Sequence, residues 1–397
     1  MRWKANGMEY SPYDLEIHSN PYPVYEQMRQ QCPVYHNEDL GFWALFRYKD
    51  VQAAARDWET FTTREGTFLK QEITAMREFM PAEGKFLDLD PPRSMELRRV
   101  VTDAFAPKVI NQKEDEIRSI VVDLIDRFAS RGSADLVEEF ANPLPVIIIS
   151  QMLGIRREDE DNVSEWSHRM FERNPEDGKA TASAYEAGYR IREYFEAMLE
   201  DRRSKPKDDL MTVLVQAEVN GSPLTNNEIV GMAVLLHAAG NDTTGRLIGS
   251  ALWLLGENRD ERQRLIANPS AIPAAIEEFL RYESPVCQEA RTTTRDVEIG
   301  GSTIPAGQSV LLMFGSANRD EDVFPQSEKL DPRRNIKRHL AFGEGIHFCL
   351  GSRLARLETR IAIEEILRRL PNYEISGPIK WAQASVLRGP VALPARF

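Results

Sequence analysis

The sequence lacks several features, and each absence excludes a class of function. Only three cysteines occur in 397 residues, Cys32, Cys287 and Cys349. Their number is odd and no two are closely spaced, which excludes a disulfide framework and a Cys-x-x-Cys zinc or redox site and points to a reducing compartment. No apolar run approaches the ~20 residues of a membrane-spanning helix. The most apolar stretches are only Pro143 to Ile149 and Met232 to Gly240. The opening Met1-Arg-Trp-Lys-Ala-Asn leads into polar, Pro-rich sequence, so a cytoplasmic protein without a secretory signal is expected. Positive charge is not in excess: 50 Lys+Arg against 62 Asp+Glu leaves −12, which disfavours nucleic acid or anionic lipid as a general partner. Neither a repeat nor a low-complexity linker divides the chain, and no Gly-x-Gly-x-x-Gly follows a strand. Length alone suggests two or three domains. The unbroken patterning favours a single unit spanning 1–397.

What is present is mostly helical. Ile117, Ile120, Val121, Leu124, Ile125 and Phe128 form one apolar stripe, with Gly132 suited to the helix end. Thr225-Asn-Asn-Glu228 reads as a capping box, opening a helix that should continue to about Glu257. Inside it, Gly240-Asn241-Asp242-Thr243-Thr244-Gly245 gathers poor helix formers where the ladder should be strongest, so something other than helix stability selects them. Strand signals are confined to Gly41–Tyr48, Val297–Met313 and Ala382–Phe397. The expected fold class is mainly α with a small β region.

The most informative stretch runs from Phe342 to Gly351, Phe-Gly-Glu-Gly-Ile-His-Phe-Cys-Leu-Gly. Its glycines permit a tight loop whose backbone can approach a flat ligand. Leu350, Leu354, Leu357 and Ile361 mark the apolar face of a following helix. Cys349 therefore sits at a helix N-terminus, where the dipole and free N–H groups favour thiolate, and a thiolate can hold a metal. A lone cysteine is more often a small buried hydrophobe, and it is the glycine and His347 spacing that tips the reading toward a ligand.

With these residues the sequence resembles the cytochrome P-450 haem-thiolate monooxygenases of the soluble bacterial type, whose Phe-Gly-x-Gly-x-His-x-Cys-x-Gly signature it matches at every defined position. The resemblance extends from about Asn20 to Pro394 and implies a single-domain, triangular-prism fold that encloses haem b. It implies that Cys349 is the proximal iron ligand, with Phe342 and Gly343 beside it. Cysteine suits that place because its anionic sulfur donates electron density that favours O–O cleavage. Glu278-Phe-Leu-Arg281 is similar to the family's Glu-x-x-Arg element. By spacing alone Glu277 could serve Arg281 equally well; the family pattern selects Glu278 and adds Arg334 as a structural third member, although Leu330 departs from the usual aromatic.

The same resemblance assigns Asp242 and Thr243 to proton delivery and has Gly240 let the long helix open near the iron. Haem propionates would be met by Arg98, Arg291 and His347, while Ser94 stands where the family carries histidine. The distal pocket would draw on Thr67–Phe86, Trp166–Tyr189, Leu236–Gly240 including Ala239, Val286–Ala290 including Cys287, and Ser385–Leu387 including Val386. These are largely small or apolar, which suits a hydrophobic substrate such as a terpenoid, steroid, fatty acyl or polyketide compound. Lys70, Arg77 and Lys85 in the first of these stretches allow a carboxylate on the substrate, with the solvated reading favoured.

The implied reaction inserts one atom of dioxygen into a C–H bond, with epoxidation or dealkylation as variants. Electrons would come from a ferredoxin and its reductase, docking on a basic face that includes Arg98, Arg99, Lys337, Arg338, Arg353 and Arg356. The enzyme would be a monomer, without membrane or nucleic acid partners. A peroxide-driven peroxygenase would generally lose the Asp–Thr pair, and a haem sensor would not need it.

Overall fold

The capping box forms as its spacing requires. The Glu228 N–H donates to Thr225 Oγ1 at 3.2 Å, and the Thr225 N–H donates back to Glu228 Oε2 at 2.9 Å. Behind it the chain stays helical from Asn226 to Glu257, 32 residues through the whole Gly240–Gly245 cluster. The helix is not broken at Gly240, and the glycines have another use. A Cβ on Gly240 would lie 3.0 Å from the side chain of Ile149, and one on Gly245 would lie 2.9 Å from Asn142 Oδ1. Their smallness lets neighbouring segments approach the helix, so the opening expected there is replaced by close packing.

The computed structural model describes residues 10–70, 72–73, 77, 82–170, 172, 179–382 and 384–397. Parts of two stretches expected to line the substrate pocket, Thr67–Phe86 and Trp166–Tyr189, fall outside these residues, as does the opening Met1 to Asn6. The described chain divides into two compact units, each assembled from segments distant in sequence. One comprises Met1–Phe61, Asn111–Leu144 and Thr243–Phe397; the other comprises Thr62–Ile110 and Pro145–Asp242.

The first unit holds the sheet and the Cys349 segment. The predicted stripe folds as a helix over Glu114–Asp126, with three acidic residues in its first turn complementing the dipole. It ends earlier than expected, because a separate 3-10 turn, Ala129–Arg131, intervenes before Gly132 takes up φ 72°. Arg118 on this helix binds Glu364 and Glu365 at 2.7 Å each, fixing it to the helix Ser352–Arg369.

The main sheet orders Val34–Asn37, Phe42–Leu45, Ser309–Leu312, Glu289–Thr293 and Phe61–Thr62. Ser309–Leu312 runs parallel to Phe42–Leu45 and antiparallel to Glu289–Thr293, bringing together strands far apart in sequence. Gly300 and Gly301, both at positive φ, turn the hairpin between Val297–Ile299 and Ser302–Ile304, as a two-residue loop of this type requires. Val34–Asn37 and Glu289–Thr293 carried no strand signal, because His36, Asn37, Glu289 and Arg291 interrupt the apolar alternation.

In the second unit the helices Glu160–Arg169 and Ala182–Ser204 pack with the first half of the long helix, burying Val163, Ile191, Phe195, Met232 and Leu236. Among the described residues, no helix is long and apolar enough to cross a membrane. Thr225→Ala removes a cap hydrogen bond and should cost about 1 kcal/mol, measured as an earlier urea midpoint.

Candidate functional site

The Cys349 loop is shaped by two left-handed glycines, Gly343 and Gly345, each at φ 69°. The Gly343 N–H donates to Leu340 O at 3.0 Å, and a 3-10 turn covers Gly345–His347. The Cys349 N–H then closes the loop on Phe342 O at 2.8 Å. A Cβ on Gly345 would come within 2.9 Å of Ala55 O, so this turn is held against the end of the helix Tyr48–Arg56. Cys349 lies three residues before the 18-residue helix Ser352–Arg369, with Gly351 at its N-cap. The half-buried sulfur is therefore next to unsatisfied N–H groups at the positive end of a dipole.

Beneath the loop is a connected set of side chains that sequence reasoning missed. Arg356, one turn into the helix, places its guanidinium 4.4 Å from the Phe342 ring centre. It also donates to both oxygens of Glu277, at 2.6 and 2.8 Å. His339 Nε2 contacts the same carboxylate at 3.1 Å. Burial pushes the Glu277 carboxyl up, but hydrogen bonds from Arg356 and His339 outweigh this and hold it down at about 2. No local spacing connects residues 277, 339, 342 and 356, so no sequence pattern could have found them.

Next to Glu277, Glu278 takes the role that spacing left open. Arg281 clasps it in two hydrogen bonds of 2.8 Å, and both side chains are 0% exposed. Arg281 also donates to Asn318 O and Ser327 O, and the Asp331 N–H donates to Glu278. Arg334 reaches Glu278 at 3.4 Å, but its shorter bonds, from 2.8 to 3.3 Å, go to the carbonyls of Pro325, Gln326 and Lys329. Its main contribution is to hold that loop.

The other candidates are placed as follows. Arg291 is buried and pairs with Glu289 at 3.0 Å. His347 is half-buried in the 3-10 turn, and Arg98 is half-buried in the second unit's helix Arg93–Thr102. Within the long helix, Leu235, Ala238, Ala239, Asp242, Thr243 and Arg246 are the accessible positions at helical spacing, while Leu236, His237, Asn241 and Thr244 are buried. Asp242 Oδ1 lies 2.7 Å from His168 Nε2, a contact that sequence reasoning did not anticipate.

The backbone brings Val286, Cys287 and Val386 together. Val286 bridges Leu387, and the Cys287 N–H donates to Val386 O at 2.9 Å. The Cys287 sulfur faces the N-terminal segment, lining a cavity with Tyr10, His18, Tyr25 and Ser385, and burial pushes its thiol up to about 11. Two of the loop cations are paired: Lys85 is buried on Asp88, contrary to its solvated reading, and Arg77 binds Glu65.

These residues suit a flat, anionic, iron-bearing group. Gly351 has an ordinary φ of −80°, and a Cβ there would meet no protein atom within 4 Å, so neither backbone strain nor packing within the chain requires glycine. The space beside this residue, two positions from Cys349, is open to a flat group. In the second unit, the buried hydroxyl of Ser94 finds no hydrogen-bond partner in the protein, leaving a donor for a carboxylate such as a propionate.

A sequence profile described as Cytochrome P450 matches residues 43–374. The chain belongs to the cytochrome P450 family. This P450 is similar to Cytochrome P450 130 of Mycobacterium tuberculosis, with 35% identity over 400 residues and 98% of each chain covered. Among solved structures it is similar to the cytochrome P450 PksS of the Bacillus subtilis bacillaene polyketide synthase, at TM-score 0.89 and 34% identity, covering 98% of this chain and 99% of that one. It is also similar to CYP109E1 of Bacillus megaterium in complex with testosterone, at TM-score 0.88 and 32% identity with the same coverage. The P450 is thus an oxidoreductase with the family's mainly helical fold and thiolate-ligated haem iron. The family uses dioxygen, redox partners and hydrophobic substrates.

Because the Glu277 carboxyl is depressed in the fold, its stabilising contribution is complete above the ordinary value of 4.5 and is lost as pH falls toward about 2. Glu277→Gln should therefore flatten the fall in stability across that window, as read by acid titration of urea midpoints.

Proposed function

We propose that Cys349 would hold the haem iron through its thiolate in a monooxygenase in which Asp242 and Thr243 deliver protons and residues 1–397 act as one catalytic domain and as a monomer. The observation that carries this reading is the loop itself, where Cys349 stands before a long helix and its backbone is closed on Phe342. When bound, the haem supplies the iron at which one atom of dioxygen is transferred to a C–H bond and the other leaves as water, consuming two electrons and two protons. The chain's residues hold and supply that chemistry. The helix dipole and loop N–H groups stabilise the anionic sulfur of Cys349. Phe342, whose carbonyl accepts the Cys349 N–H, is fixed from below by Arg356 and Glu277. By the family pattern, Arg98 and the Ser94 hydroxyl of the second unit, and Arg291 and His347 of the first, would each serve as a donor for propionates. Asp242 and Thr243, at accessible positions of the long helix, supply an acid and an alcohol in sequence.

The substrate on this reading is hydrophobic. Leu236, Ala239, Val286 and Val386 offer no charge to recognise. The testosterone held by CYP109E1 and the polyketide setting of PksS support a steroid-like or polyketide-like molecule. Cys287, with its sulfur among N-terminal tyrosines, contributes through its backbone.

Electrons on this reading come from a ferredoxin. Lys337, Arg338 and Arg353 are exposed in the first unit, and Phe348, beside Cys349, is 43% exposed, an apolar centre with basic residues nearby in sequence. Arg356 is committed to Glu277 and Phe342, so it belongs to the loop and not to the docking set.

Two measurements test the assignment. Cys349→Ser should abolish the red-shifted Soret band of the reduced carbon-monoxide complex, and retention of that band removes Cys349 as the ligand. Arg338→Glu combined with Arg353→Glu should lower the ferredoxin electron-transfer rate about tenfold at low salt, with the difference shrinking as salt is added. An unchanged rate removes the docking face.

A further inference from the structure

The helix Glu160–Arg169 meets the long helix in the second unit along a polar seam. Ser164, Ser167 and His168, at i, i+3 and i+4, face Asn241, His237 and Asp242. Asn241 Nδ2 donates to Ser164 Oγ at 3.5 Å, and His237 Nδ1 lies 3.3 Å from Ser167 Oγ. The tightest contact is His168 Nε2 to Asp242 Oδ1 at 2.7 Å. The His168 side chain is 41% exposed and that of Asp242 is 21% exposed, so accessibility falls along the pair toward the long helix. Polar groups at a helix contact cost stability unless each is satisfied, and of the three contacts here only that of His168 reaches the carboxylate that the proposed reaction needs.

We propose that His168 positions Asp242 and carries protons to it from solvent. This rests on the proton-delivery reading of Asp242 and adds the group that reloads it. The imidazolium gives its Nε2 proton to Asp242 Oδ1, and the neutral ring takes a proton back from water on its exposed side. The carboxylic acid so formed passes its proton on toward Thr243. Two such transfers supply the two protons that each turnover consumes.

Arg169 and His237 flank this contact. On its own helix, Arg169 is taken up by Glu165 at 3.0 Å and by Glu186 of the helix Ala182–Ser204 at 3.3 Å. From the latter helix Phe195 packs edge-on to His237, with centroids 6.3 Å apart. On the long helix His237 is 0% exposed, and its Nε2 has no partner. Burial pushes that imidazole down to about 4, His168 beside it adds to the fall, and Asp242 opposes it. His237 is therefore neutral at ordinary pH. His168, exposed on one side and in contact with Asp242 on the other, joins water to that carboxylate.

The test uses the full-length holoenzyme and two variants, His168→Gln and Asp242→Asn, each checked for an intact thiolate spectrum of the carbon-monoxide complex. The first readout is the NMR titration of the His168 ring in that diamagnetic complex. Asp242→Asn should lower its midpoint by about half a pH unit or more, because an opposite charge is removed. The second readout needs no known substrate: NADPH is consumed through a plant-type ferredoxin and its reductase, and hydrogen peroxide released per NADPH is measured against pH. His168→Gln should at least double the peroxide fraction near neutral pH and change the shape of its pH profile, matching Asp242→Asn in direction. A His168 midpoint indifferent to Asp242→Asn, or a wild-type profile in His168→Gln alongside an impaired Asp242→Asn, overturns the role of His168 alone. A wild-type profile in Asp242→Asn overturns the delivery reading itself.

Discussion

A charge pair with no access to water governs how the Cys349 segment is held. Glu278 and Arg281 are both fully buried, and a buried ion pair that loses one partner typically costs about 3 to 5 kcal/mol. Their remaining hydrogen-bonding capacity must also be met, and the chain meets it with backbone from residues 318 to 331. Asn318 is one of those partners, and its side chain in turn accepts the Leu340 N–H at 2.6 Å. The Phe342 to Gly351 loop begins just beyond that bond. A requirement to satisfy charge in the interior is in this way passed on as a fixed entry point for the loop that carries the thiolate.

The adjacent carboxylate adds support from the helix that follows the loop. Glu277 holds Arg356, and Arg356 lies against Phe342, so two consecutive glutamates on one helix brace the segment from opposite directions. Glu278 works through buried backbone and Glu277 through a cation on an aromatic face. Acid should weaken the Glu277 brace only at low pH, because its hydrogen bonds hold the carboxylate ionised down to about 2.

What could be read in advance was what local spacing encodes. The capping box at Thr225, the extent of the long helix, the strand region Val297–Met313, and the loop signature around Cys349 all depend on residues within a few positions of one another. What could not be read depends on approach between distant segments. The strands Val34–Asn37 and Glu289–Thr293 exist because Phe42–Leu45 and Ser309–Leu312 lie beside them, and their own composition carries little strand character. His168 meets Asp242 across 74 positions, and Arg356 meets Glu277 across 79. Gly240 illustrates the reverse error. The family resemblance implied an opening of the helix at Gly240, whereas the helix runs unbroken there and Ile149 packs against the glycine.

The border between the two compact units falls at the peptide joining Asp242 to Thr243, inside an unbroken helix. Recombination with a related P450 that followed this border would therefore separate the acid from the alcohol. Asp242 would travel with His168, His237 and Ser167, whereas Thr243 would stay with Cys349, Glu278 and Arg356. A chimera built in this way would carry the acid and its histidine as one inherited module.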